Sequence, residues 1–197
     1  MLPPEPMLWP GELFDRDERF GNKESQWWAL HTRPRTEKSL ARRLLRHDVP
    51  YFLPQYERRR RLQRRLVRTQ APLFPGYLFL CAGEDGRRTA LETNLVVGCL
   101  NVVDQLCLFS DLRRVHELIQ SGKPFSPEAQ ICPGMLARIT CGPLAGLEGT
   151  IILCKGSMRF VVAVDFLQQG AAVDVDDSMI QLLDSKDGLS ASLNTAS

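Results

Sequence analysis

Residues 72–80, PLFPGYLFL, carry the sharpest hydrophobic pattern in the chain: Pro72, Pro75 and Gly76 make a bend that feeds into the strand formers Tyr77, Leu78, Phe79 and Leu80. Side chains alternate along a strand, so Leu78 and Leu80 face one side and Tyr77 and Phe79 the other, and both sides are apolar. One side calls for the protein's own helices. The other either completes the core or docks a partner.

Before this strand, residues 1–25 mix four prolines with scattered charge and show no period, which predicts a mobile leader. The run QWWALH at 26–31 predicts a first strand, and Thr36 is placed to cap a helix with Leu40, Ala41, Leu44 and Leu45 on one face. A second strand over 49–56 is interrupted by Pro50 and Pro54. The run ERRRRLQRRLVRT at 57–69 would stack like charges at helical spacing, so it predicts a projecting hairpin or loop. After the central strand come a short helix over 86–94, a β-rich run over 96–103, and a helix capped by Ser110 with Leu112, Val115, Leu118 and Ile119 at helical spacing. Gly122 and Pro124 stop it.

Beyond a proline-rich linker at 123–132 the pattern changes to short strands divided by glycine, at 135–140, 148–153, 160–165, 171–175 and 179–183. The fold class read from this order is α+β, with a small antiparallel or mixed sheet and helices at 26–122 followed by a small SH3-like β-barrel at 133–184. Residues 185–197 read as a disordered tail.

Charge sharpens the picture. The net charge is only +2, yet residues 27–70 carry 13 basic and 3 acidic side chains, a local excess of +10. Such a concentration points to a polyanion contact in one segment. Its bearers are Arg58, Arg59, Arg60, Arg61, Arg64, Arg65 and Arg68, with Arg87, Arg88 and Thr89 in the following helix as candidates for reading base edges. The six cysteines lack CxxC spacing and no metal or catalytic constellation is present, so no cofactor, no metal and no enzymatic activity are expected. No apolar run is long enough to span a membrane, and the N-terminus has no signal-peptide pattern, so a cytoplasmic monomer is expected.

Three stretches taken together carry a resemblance: WWALHTRPRTEK at 27–38, LFPGYLF at 73–79, and PGMLARITCGPLAGLEGTI at 133–151. In that order they resemble the NusG family of transcription elongation factors, including its specialised RfaH-like branch, and the third looks like the KOW motif that opens the family's C-terminal barrel. The resemblance implies a factor that binds the clamp of RNA polymerase through its N-terminal domain, near upstream or non-template DNA, and that suppresses pausing or termination. It places the polymerase contact on His31, Phe74, Pro75, Tyr77 and Phe79.

The family's second domain typically contacts the ribosomal protein NusE or the factor Rho. At the positions implied here the chain carries Leu144 and Leu147 in the KOW loop and Phe166 and Gln168 in a later turn, where the housekeeping pattern has phenylalanines and an FGR-like turn. Those departures favour a specialised antiterminator. Some RfaH-like chains refold this domain into a helical hairpin. The glycines at 142, 146, 149, 156 and 170 and the run Val161, Val162 and Val164 predict strands as the resting state here. The competing reading from another class is a ribosome-associated or structured-RNA-binding KOW protein.

Overall fold

The computed structural model describes residues 5–15, 25–62, 65–128, 134–154 and 157–183. The chain divides into two compact units, Met1–His116 and Glu117–Ser197. The expected tail lies outside the described residues.

The first unit is built on a five-stranded antiparallel sheet in the order β1 (Leu8–Trp9), β3 (Tyr51–Phe52), β6 (Tyr77–Ala82), β2 (Gln26–Thr32), β7 (Val96–Leu100). Register fixes its two faces. Leu30 pairs with Leu78, and Trp28 and Tyr51 with Leu80, so these side chains share a face. They form one buried cluster with Leu40, Ala41 and Leu44 of α1 (Glu37–Arg46) and Ala90 of α2 (Glu84–Glu92). Gly86 lets α2 approach, because a Cβ there would lie 2.5 Å from that of Ala82. Thr36 is no side-chain cap; its hydroxyl donates to the Arg33 carbonyl at 2.8 Å.

The opposite face carries Trp27, Ala29, Phe52 and Phe79, and it too is buried. Phe14 stacks on Trp27 at 5.8 Å and meets Phe52 edge-on at 5.1 Å. Helix α3 (Gln105–Gln120) supplies Phe109 and His116 around the same Phe14 ring. The Gln105 amide ties this helix to β2 by accepting from the Trp27 N–H at 2.6 Å and donating to its carbonyl at 3.0 Å. α3 begins five residues before the expected Ser110 cap, because the Asp104 carboxylate accepts the Cys107 N–H at 2.8 Å.

The leader is a correction. Residues 5–15 are packed rather than mobile. Leu8 and Trp9 add strand β1 to the sheet, and the Tyr51 hydroxyl donates to the Pro6 carbonyl. Glu5 accepts from Arg42 at 2.9 Å and lies 3.7 Å from Lys38. Trp9, Leu13 and Phe14 are the residues that could pin the segment locally, but their partners, a sheet edge and a helix, are distant in sequence.

The second unit holds a six-stranded antiparallel sheet in the order β13 (Ile180–Leu182), β9 (Met135–Ile139), β10 (Glu148–Cys154), β11 (Ser157–Val164), β12 (Gln169–Asp174), β8 (Ser126–Glu128). Strand β8 falls inside the stretch expected to be linker, where it pairs with β12. Phe160, Val162, Val164 and Ala171 are buried on one face of the sheet, and Val161 and Ala172 are buried with Ile152 on the other.

Candidate functional site

The two prolines and the glycine that precede β6 form a bend held from both sides. Gly76 has φ +84°, a conformation that favours glycine, and its N–H donates to the Glu37 carboxylate at 2.8 Å. Its carbonyl accepts from the Thr32 N–H at 2.8 Å. The bend therefore fixes where β6 begins relative to β2, pairing His31 with Tyr77. Their rings lie 5.3 Å apart at 31°, next to exposed Pro75.

This pair occupies the end of the sheet face away from Phe14. His31 is exposed and Tyr77 half-buried. Phe74 and Phe79, expected on the same docking surface, are instead 1% and 0% exposed, with their rings edge-on at 5.9 Å. The correction has a simple cause: Phe79 lies opposite Ala29 and Phe52, in the middle of the sheet, where no ring on this face can reach water. The sequence reading also missed exposed apolar residues on edge strand β7 and just after it. Leu100 pairs with Ala29 and Gly98 with His31 on edge strand β7, and Leu100, Val97, Val103 and Leu106 are all exposed. The run VVGCLNVV held that signal, since an edge strand leaves one flank uncovered.

The arginine run forms the hairpin β4 (Gln55–Leu62) and β5 (Arg65–Pro72), a two-stranded ribbon separate from the main sheet. Arg59 lies directly opposite Arg68, a repulsive cross-strand pair. Glu57 sits between them, accepting from Arg59 at 2.6 Å and lying 4.0 Å from Arg68. The Arg59 hydrogen bond, followed by the two arginine charges, holds the Glu57 carboxyl below the usual carboxylate range. Arg58 is exposed, Arg64 lies outside the described residues, and of Arg60, Arg61 and Arg65 only the backbone is described.

The α2 candidates divide. The Arg87 guanidinium is engaged by Glu84 and stacks 5.2 Å over the Trp28 ring, so it braces α2 against β2. The Thr89 hydroxyl donates to the Asp85 carbonyl. Arg88 is exposed.

In the second unit, Gly142 and Gly146 have φ of +84° and +89° and close the loop between β9 and β10 in tight turns, with the Gly146 N–H donating to the Ile139 carbonyl at 2.7 Å. Leu144 and Leu147 are buried in this turn, contrary to their expected role as partner contacts. Phe166 and Gln168 are exposed on the turn between β11 and β12, where Gln168 takes the left-handed conformation at φ 53°.

The family model described as "Transcription termination factor nusG" matches residues 25–125, about half the chain. The chain belongs to the NusG family. That places it among transcription elongation factors, a family of transcription factors and not of enzymes. A structure of Thermotoga maritima NusG, described as a study of domain interaction, is similar at 16% identity and a TM-score of 0.47, covering 81% of this chain and 98% of that one. The MjSpt4:Spt5 complex is similar at 14% identity and a TM-score of 0.27, covering 80% and 97%. No curated protein sequence matches the chain. Among the described residues, no helix is long and apolar enough to cross a membrane.

Proposed function

We propose that this NusG-family protein binds RNA polymerase through the His31–Tyr77 end of its first sheet and suppresses pausing or termination. The reading is carried by the family match over 25–125, the stretch that contains His31, Pro75, Tyr77 and the exposed edge of β7. A half-exposed aromatic pair beside an edge strand that exposes Val97 and Leu100 suits the apolar face of a helical clamp element. Bridging the clamp favours whichever polymerase conformation the factor binds better, which here is the unpaused one. The hairpin then holds the upstream or non-template DNA backbone through Arg58, Arg59 and Arg68, without sequence choice.

The second unit acts as a KOW domain of SH3-like barrel type and recruits a further partner, NusE or Rho, through Phe166 and Gln168. The glycine-closed loop at 142–147 and the exposed Phe166 support that reading. Transcription in vitro on a template with a pause and a terminator tests the function. Added protein should shorten pause lifetimes and raise read-through, and the His31→Ala, Tyr77→Ala double variant should do neither. Unchanged pausing with the parent protein, together with tight binding to structured RNA, would favour a ribosome-associated role.

A further inference from the structure

Glu37 is the first residue of α1, yet it is only 6% exposed. An acid in a first helical turn ordinarily stands in solvent, where its charge complements the helix dipole. This carboxylate turns back instead to the bend before β6 and accepts the Gly76 N–H at 2.8 Å. A second anchor meets the same residue from the other side, because the Gly76 carbonyl accepts from the N–H of buried Thr32.

The His31–Tyr77 pair rests on this bend. A Cβ at Gly76 would lie 3.6 Å from both Cδ2 and Nε2 of His31, so the imidazole sits against the glycine backbone. Tyr77 follows Gly76 directly, and its ring lies 5.3 Å from that of His31. Among the described residues, neither the His31 imidazole nor the Tyr77 hydroxyl has a hydrogen-bond partner. Gly98, opposite His31 on β7, has no side chain to brace it. The two rings therefore take their places from the backbone beneath them. Thr32 contributes a backbone N–H that nearly any residue would supply, whereas the Glu37 contact needs one particular side chain.

We propose that Glu37 is a positioning residue for polymerase binding: its carboxylate fixes the Gly76 bend, and the bend holds His31 and Tyr77 in their docking arrangement before the polymerase arrives. This rests on the polymerase reading above and adds a residue that is too buried to touch the partner. Rings already in place avoid the entropy cost of being ordered at the interface. The role requires a hydrogen-bond acceptor at the end of a glutamate-length side chain. It does not require the charge. A helix-dipole role makes the opposite demand, for a charge near the first turn at any reach.

Two substitutions in the full-length protein separate these roles. Glu37→Gln keeps the reach and an acceptor oxygen but loses the charge, and Glu37→Asp keeps the charge but falls short of Gly76. Proton NMR of the free protein reads the pair itself. The nuclear Overhauser effect between the His31 and Tyr77 rings should persist in Glu37→Gln and disappear in Glu37→Asp. Binding to polymerase stripped of nucleic acid should stay within about twofold of the parent in Glu37→Gln and weaken about fivefold in Glu37→Asp, the effect of ordering two side chains on binding.

The reverse order, with Glu37→Asp like the parent and Glu37→Gln weakened, would overturn the proposal and assign Glu37 to the helix dipole. An intact ring contact in Glu37→Asp would overturn it too. So would parental affinity in Glu37→Asp when His31→Ala with Tyr77→Ala loses binding. If that double variant also binds like the parent, the polymerase reading itself fails. Should Glu37→Asp not fold, Glu37→Met takes its place, being uncharged like Glu37→Gln and of similar length but without the acceptor oxygen. Equal ring contact and equal affinity in the Met and Gln variants would then overturn the proposal.

Discussion

Phe79 and Tyr77 are two residues apart on one strand and point to the same face, yet one is fully buried and the other half open. Their substitutions should therefore separate stability from binding. Phe79→Ala should lower unfolding free energy by about 3 to 5 kcal/mol, the usual cost of removing a core phenylalanine. A chemical-denaturation midpoint measures it, and a loss of under about 1 kcal/mol would mean the ring is not core. Tyr77→Ala should leave that midpoint nearly unmoved. The alternation that puts both rings on one face was legible from residues 77–80 alone. Which ring is covered was not, because that depends on Phe52 opposite Phe79 and on Phe14 nearby, contacts made from distant sequence. Likewise Glu37 reads as an ordinary first-turn acid, and only the structure shows it fastening Gly76.

At the scale of elements, the N-terminal segment 5–15 and the arginine hairpin behave oppositely. The segment is integral to the fold: Phe14 is 3% exposed, and Leu8 and Trp9 extend the sheet. Removing residues 1–15 should lower the thermal midpoint by several degrees, since a buried phenylalanine and an added strand go together. A truncated protein that melts with the parent would return the segment to the status of a mobile leader. The hairpin packs as a separate ribbon, so its charges can change without disturbing the sheet. Arg59→Gln with Arg68→Gln should lower the salt slope of duplex binding by about one unit for each phosphate no longer neutralised, and should leave the melting midpoint in place. An unaltered slope would make these arginines a solvated face. The ribbon was legible because seven like charges forbid a helix. Strand β8 was not, for three prolines near it read as linker and its pairing partner β12 lies some forty residues on.

Across the whole molecule, two units of different class follow one another, and the boundary falls within α3 rather than after it. Segment 117–183, studied alone, should show the circular dichroism of strands. A helical spectrum in plain buffer would contradict the preference of its glycines and valines. The central claim concerns the first unit, and it is tested most directly by binding to purified RNA polymerase stripped of nucleic acid. The parent protein should bind, and Arg59→Gln with Arg68→Gln should bind equally well. His31→Ala with Tyr77→Ala should lose about tenfold or more in affinity, the weight of one interface anchor. Retained affinity in the His31, Tyr77 variant, or no binding by the parent, would contradict the account.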